Sequence, residues 1–144
     1  AYEVPEELKE KIQSLFWAGC CGDDETKQTI GRVWQEHHYL CDTHTAVAWN
    51  VAQQYKAANP AHAPVVVLST ASPYKFPAAV LEGLGEKAEG DEFAVMEQLE
   101  RLTGIPAPKN LRGLRERPVR HTTVLDREEM LPFVLEKAQE KKWF

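Results

Sequence analysis

The chain has 144 residues, of which 43% are hydrophobic and 27% are charged, a composition that supports the core of one domain. We therefore treat residues 1–144 as a single unit. The formal net charge is -5, whereas a nucleic-acid-binding surface needs a basic patch, so no nucleic-acid partner is expected. No apolar run approaches the roughly 20 residues that cross a bilayer, so no membrane partner is expected either.

Cysteine usage and the N-terminal residues indicate a compartment. The three cysteines are Cys20, Cys21 and Cys41, and an odd number with two adjacent is not typical of a disulfide framework. The stretch AYEVPEELKEK is acidic and amphipathic, unlike a signal peptide. We predict a cytoplasmic protein in a reducing environment.

The first third of the chain predicts three helices. Pro5 is suited to the first turn of a helix, and Leu8, Ile12, Leu15 and Phe16 then recur at helical spacing as one apolar face. Acidic or hydroxyl side chains that can cap a helix N-terminus precede the next two helices. These candidate caps are Asp23 or Asp24 for the second helix and Asp42 or Thr43 for the third.

The middle of the chain predicts a buried strand with a polar end. Val65–Leu68 is an unbroken run of branched apolar residues, typical of a strand buried on both faces of a parallel sheet. Ser69, Thr70 and Ser72 follow it directly, and Pro73 prevents its continuation. Because ligands in open α/β sheets bind beyond the carboxyl ends of the strands, these hydroxyls form a candidate binding edge.

The remaining sequence predicts helices and one weaker strand. Helices are expected after Tyr74, from Asp91 to Gly104 and after Asp126, with the last helix turning Met130, Leu131, Val134 and Leu135 inward, and 105–118 is expected to be an irregular connector. Residues 121–125, which include the β-branched Thr122, Thr123 and Val124, are predicted to be a second strand. We predict an α/β fold, rich in helices and poor in strands. Either the two strands pair in a minimal sheet, or an absent N-terminal part completes the sheet.

Two stretches resemble a known family. DTHTAVAW at residues 42–49 and STASPYKFP at residues 69–77, the second preceded by the predicted strand, are similar to the C-terminal part of threonine synthases. Those are pyridoxal-phosphate (PLP) enzymes of fold type II, the tryptophan-synthase-β-like fold. The resemblance extends from roughly Asp23 to Phe144 and is weaker in the last third of the chain.

The resemblance implies a lyase of threonine and amino-acid biosynthesis. Threonine synthases use PLP to convert O-phosphohomoserine and water to threonine and phosphate. By motif position, Thr70 is the cofactor-binding residue whose hydroxyl meets the pyridine nitrogen. From the residues alone, Thr70 could equally bond the backbone at its strand end. Some family members have TAHPAKF where this chain has TASPYKF, so Ser72 and Tyr74 receive no role.

No catalytic residue and no metal ligand is assigned to this chain. Lys75 is the obvious candidate for a Schiff-base lysine, but the family places that lysine and its glycine-rich phosphate cradle far toward the N-terminus. The resemblance therefore implies a fragment that is inactive alone. Its expected partners are the missing N-terminal part of the same enzyme and, in the complete enzyme, O-phosphohomoserine.

Several alternatives compete with this interpretation. The chain could belong to another fold-type-II PLP enzyme such as threonine dehydratase, or be a stand-alone α/β interaction domain without chemistry. A stand-alone domain should lack a large exposed apolar face. Asp42, His44 and Thr45 serve either as a helix cap or as part of an active-site wall, and we favour a structural role.

Two clusters of potentially reactive side chains are expected to be incidental. His37, His38, Cys41 and His44 have the residue types of a zinc site, but they span a helix end, a loop and a helix start. Cys20-Cys21 has no base placed beside it by sequence. We therefore predict neither a metal site nor a nucleophilic thiol.

Overall fold

A computed structural model describes residues 3–61 and 63–140. Its regular structure is helical, and no strand occurs in these two ranges. The α-helices are α1 (Glu6–Leu15), α2 (Asp23–His37), α3 (Thr43–Ala58), α4 (Pro77–Gly83), α5 (Glu92–Thr103), α6 (Lys109–Arg112) and α7 (Met130–Glu140). Short 3₁₀ helices span Pro73–Lys75 and Arg127–Glu129.

The helix-rich part of the predicted fold is confirmed, but neither predicted strand forms. A strand needs a neighbour to accept and donate its backbone hydrogen bonds, and the described residues provide none for Val65–Leu68 or for 121–125. Both segments lie on the surface instead: Val66 is 82% exposed and Val124 is 92% exposed. The prediction that the two strands pair in a minimal sheet is therefore wrong.

The core lies where α2 packs against α3 and α4, and where α4 in turn packs against α5. The central helix α4 is short, yet both of its branched residues, Val80 and Leu81, are completely buried. The other large buried apolar side chains are Ile30, Val33, Leu40, Tyr74, Val95 and Leu99. Most of these side chains belong to α2, α4 and α5, while Leu40 lies in the loop before α3 and Tyr74 in the first 3₁₀ turn. The polar segment between α3 and α4, residues 69–76, lies at the edge of this core.

The crossing of α2 and α4 requires two glycines. A Cβ atom on Gly31 would overlap the carbonyl oxygen of Gly83, and a Cβ atom on Gly83 would lie 2.9 Å from Cβ of Ile30. Lys27 Nζ pairs with the Glu82 carboxylate at 2.6 Å beside the same crossing. That hydrogen bond raises the pKa of Lys27. The two helices approach more closely than any other side chain at these positions would allow.

Helix starts agree with the predicted caps at α3, at α5 and at the 3₁₀ turn before α7, where Asp126 is the cap, but not at α2. Asp42 caps α3, and α5 begins after Asp91 and ends at Gly104, whose φ of 69° is a left-handed conformation suited to glycine. At α2 the cap residue is Gly22 instead of an aspartate, because the Glu25 side chain accepts a hydrogen bond from the Gly22 amide at 3.0 Å.

The apolar faces of the first and last helices are exposed. Helix α1 buries no residue, and α7 packs mainly against the 3₁₀ turn that precedes it. The side chains that were predicted to face inward and are exposed are Leu8, Ile12, Leu15, Phe16, Met130, Leu131, Val134 and Leu135. The apolar periodicity correctly predicted both helices. It does not determine whether another element packs against their apolar faces. None of the described helices combines the length and apolarity needed to span a membrane.

Replacing Gly31 with alanine tests the close helix crossing. At an unconstrained helical position this change stabilises a protein by about 1 kcal/mol, whereas overpacking a tight contact costs about 1–3 kcal/mol. We expect Gly31→Ala to lower the free energy of unfolding by about 1–2 kcal/mol, measured by urea denaturation. Gln28→Ala, at an exposed position of α2, should change it by less than about 0.5 kcal/mol. A more stable Gly31→Ala protein would contradict the crossing.

Thiol labelling tests the burial of the loop before α3. Cys41 is 1% exposed, and its burial, together with the neighbouring charge of Asp42, raises its pKa to about 11. Because the thiolate is the reactive form, we expect iodoacetamide at pH 8 to modify the exposed Cys20 and to spare Cys41 until urea unfolds the chain. Mass spectrometry of the labelled peptides measures both rates. Equal labelling of Cys20 and Cys41 in the folded protein would disprove this packing.

Candidate functional site

The buried carboxylate of Asp42 organises the start of α3. Its Oδ1 accepts hydrogen bonds from the amides of His44 at 2.9 Å and Thr45 at 3.2 Å, and its Oδ2 accepts from the hydroxyl of Thr45. Burial alone would raise the pKa of this carboxyl group, but the hydrogen bonds from Thr45 and His44 outweigh it, so the pKa of Asp42 is lowered. The carboxylate is therefore a fixed negative charge that is 1% exposed.

From Asp42 the hydrogen bonds continue to the polar segment before α4. Thr45 Oγ1 lies 3.2 Å from Ser69 Oγ, and the hydroxyl of Tyr39 donates to the same Ser69 oxygen at 3.0 Å. Thr45 has one hydroxyl proton, so at any moment it donates a hydrogen bond either to Asp42 or to Ser69. Through these contacts the helix start and the loop before it hold Ser69 from two sides.

Thr70, the predicted cofactor-binding residue, follows Ser69 at the surface. Its side chain is exposed and, among the described residues, makes no hydrogen bond. The alternative role, in which the Thr70 hydroxyl hydrogen-bonds the backbone at its strand end, is therefore not observed among the described residues. The contact of Thr70 with a cofactor stays a prediction.

Ser72 and Tyr74, which received no role from the sequence, have structural contacts. The Ser72 hydroxyl accepts a hydrogen bond from the Tyr74 amide at 3.3 Å and so caps the 3₁₀ turn. The Tyr74 ring is 3% exposed, and its hydroxyl donates to the carbonyl oxygen of Ile105. These bonds attach the polar segment to the loop that follows α5.

Lys75 takes no part in these buried contacts. Its side chain is exposed, and its Nζ atom lies 5.4 Å from the centre of the Phe76 ring. The same ring contacts His44, with the two ring centres 5.8 Å apart, and His44 Nδ1 lies 3.3 Å from Asp42 Oδ1. His44 thus bridges the two segments, consistent with the structural role favoured for it.

The histidines and cysteines are dispersed among different neighbours. The ring of His37 packs against Trp49 at 5.4 Å and that of His38 against Trp34 at 6.0 Å. Within residues 3–61 and 63–140, no three histidine, cysteine or acidic side chains converge as a metal site would require.

Tyr39 is the residue that the sequence did not indicate. It lies in the turn between α2 and α3, 30 positions before Ser69, and is half exposed. No spacing rule relates a turn tyrosine to a serine so far along the chain. Tyr39 precedes α3 and Ser69 lies beyond the other end of α3, so tertiary structure brings the two hydroxyls together.

The lowered pKa of Asp42 predicts an acid-sensitive contribution to stability. Because the unfolded chain binds this proton more readily than the folded one, the contribution is complete above the unfolded pKa, about 3.9, and is lost as pH falls through the lower folded value. Asp42→Asn keeps the capping oxygen but cannot titrate, so its stability should depend less on pH below about 5. Asp42→Ala should lose about 1–2 kcal/mol at pH 7. If urea denaturation gives the same pH dependence of stability for wild type and for Asp42→Asn, this prediction is contradicted.

A protein-family match covers part of this site. The sequence model of the family described as "Threonine synthase, C-terminal" matches residues 45–134. This range includes all of STASPYKFP and begins at Thr45, within the other motif. It is shorter at both ends than the resemblance inferred from the motifs.

Curated relatives have the same family name. Threonine synthase-like 2 of Homo sapiens is 37% identical over 78 residues, which are 54% of this chain and 16% of the relative. Threonine synthase-like 1 of Mus musculus is 36% identical over 80 residues, or 56% of this chain and 10% of the relative. The chain thus matches only a small part of the length of these relatives.

The stretch that the family model matches contains Thr45, Ser69 and Thr70. The match covers more than half of the 144 residues. The chain belongs to the threonine synthase C-terminal family.

Proposed function

We propose that this chain forms the pyridine-ring side of the PLP site of a threonine synthase, which converts O-phosphohomoserine and water to threonine and phosphate. The observation that carries the proposal is the pair of exposed hydroxyls, Ser69 and Thr70, at the end of the apolar segment Val65–Leu68. Ser69 is held by Thr45 and Tyr39, so the two hydroxyls lie on a supported edge. Family membership makes this edge the candidate cofactor contact.

The residues at this edge suit a pyridine nitrogen. A hydroxyl can donate a hydrogen bond or accept one, and Thr70 offers such a group, exposed to solvent. In contrast to a carboxylate, a neutral hydroxyl does not force a full positive charge on the ring. When bound, PLP supplies the electron sink of the reaction, and the protein orients it. The proposed contribution of Thr70 is to orient the ring and hold its nitrogen in a neutral hydrogen bond.

The remainder of the site is assigned to the rest of the enzyme. Lys75 is exposed and stacked over Phe76, in the 3₁₀ turn that leads into α4, so we propose a structural role for it. The lysine that binds the cofactor and the residues that bind the phosphates would then belong to the N-terminal part. The chain matches 16% of a full-length relative, which supports this division.

An exposed apolar surface supports the same proposal. Val65–Leu68, the outer face of α3 and the end of α1 enclose an open cavity of about 400 Å³, and Leu68 is 72% exposed. Such a surface is unfavourable in a stand-alone domain. We propose that the N-terminal part covers it and supplies the strands that Val65–Leu68 lacks. This observation disfavours the alternative of an independent interaction domain.

The cofactor contact is tested by Thr70→Ala in a complete threonine synthase that carries this segment. Loss of one hydrogen bond to the ring should shift the absorbance of the bound cofactor and lower kcat about ten-fold. Thr70→Ser keeps the hydroxyl and should retain both properties. Thr122→Ala, which removes an exposed threonine hydroxyl from the loop before α7, serves as the matched control. An unchanged spectrum and unchanged kinetics for Thr70→Ala would exclude Thr70 from the cofactor site.

A further inference from the structure

The two stretches that resemble threonine synthases meet at one hydrogen bond. Thr45 belongs to DTHTAVAW and Ser69 to STASPYKFP, and their hydroxyl oxygens lie 3.2 Å apart although 24 positions separate them. Ser69 is bonded covalently to Thr70, and adjacent Cα atoms are held about 3.8 Å apart by the peptide unit. A constraint on Ser69 is therefore a constraint on the next residue.

Thr45 is a rigid anchor for this contact. Its side chain is 4% exposed, it lies in the first turn of α3, and its β-branch restricts rotation about χ1. The Asp42 carboxylate accepts a hydrogen bond from its hydroxyl and another from its amide. Thr45 therefore presents its oxygen to Ser69 from a side chain that is already fixed.

The segment that Thr45 holds has few other polar attachments. Among the described residues, the backbone of 65–71 takes part in no hydrogen bond, and neither does the Thr70 side chain. The Ser69 hydroxyl, with its bonds to Thr45 and Tyr39, is the polar link between this segment and the helices beneath it. Removing that link should free Thr70 without changing the helical core.

We propose that Thr45 is a positioning residue, which through Ser69 sets the place of the Thr70 hydroxyl against the pyridine nitrogen of the cofactor. The inference rests on the proposed function, because it concerns the same contact. In this role Thr45 orders the edge formed by Ser69 and Thr70 in addition to the first turn of α3. Asp42 fixes Thr45, and Tyr39 supports Ser69 from the other side.

Variants on both sides of the hydrogen bond separate this role from simple stabilisation. Thr45→Val keeps the shape and the capped amide but removes the hydroxyl, whereas Thr45→Ser restores it. Ser69→Ala breaks the same contact at an exposed position, so folding of this variant is not in question. Thr43→Val is the matched control, because the Thr43 hydroxyl contacts His44, at 3.4 Å, and not Ser69.

The first measurement uses the 144-residue chain without cofactor. In wild type and in Thr43→Val, ¹⁵N relaxation should give order parameters of about 0.85 for Ser69 and Thr70, the value of a rigid backbone. In Thr45→Val and Ser69→Ala these should fall below about 0.6, while those of α2 and α4 stay unchanged. Thr45→Ser should return the wild-type values.

The second measurement uses the complete, PLP-loaded enzyme. Thr45→Val and Ser69→Ala should each shift the cofactor absorbance in the direction of Thr70→Ala and lower kcat about five-fold, with a smaller change in KM. Both variants break the Thr45–Ser69 contact, and each also removes a contact of its own, Thr45 with Asp42 and Ser69 with Tyr39. The loss of kcat in the double variant should therefore be smaller than the product of the two single losses. Thr45→Ser should recover the spectrum and kcat.

The outcomes distinguish this inference from the function on which it rests. If Thr70→Ala alters the cofactor spectrum while Thr45→Val and Ser69→Ala leave both the order parameters and the spectrum at wild-type values, the positioning role is wrong and the proposed function stands. If Thr70→Ala has no effect on the spectrum or on kcat, the proposed function fails, and the positioning role is overturned with it. Losses that are fully additive in free energy in the double variant would also overturn a role through the contact that Thr45 and Ser69 share.

Discussion

The buried carboxylate of Asp42 is the interaction on which the candidate site depends. An ionised group that is almost inaccessible to water is unfavourable unless it is well hydrogen-bonded, and here two amides and one hydroxyl donate to it. This requirement determines the first turn of α3 and the rotamer of Thr45. It also keeps the pKa of Asp42 low despite burial.

The carboxylate organises the polar segment only because the helices bring that segment close. Gly31 and Gly83 permit α2 and α4 to cross at van der Waals distance, and Val80 and Leu81 complete the buried contact. Since α4 follows the polar segment directly, its docking on α2 returns the chain to the start of α3. The docking of α4 thus constrains the C-terminal end of the polar segment. Asp42, through Thr45, constrains its N-terminal residue, Ser69.

The exposed apolar surfaces have one physical explanation in common. Helix α1, helix α7 and Val65–Leu68 each have the sequence pattern of a buried element, and each is exposed among the described residues. Apolar faces of this kind are normally covered by another part of the structure. The proposed cover by the N-terminal part of the enzyme would explain all three exposed surfaces.

The sequence by itself determined the longer helices, the caps of α3 and α5, and the family. The spacing of apolar residues, Asp42, Asp91 and Gly104 are local signals, since capping and periodicity act within one or two turns, and the motif around Thr70 is contiguous. The missing strands, the exposed faces of α1 and α7, and the contacts of Tyr39 and Thr45 with Ser69 were decided by tertiary structure. Strand pairing, burial and side-chain contacts between distant segments depend on which neighbours are present and how closely helices pack, and no local pattern specifies either.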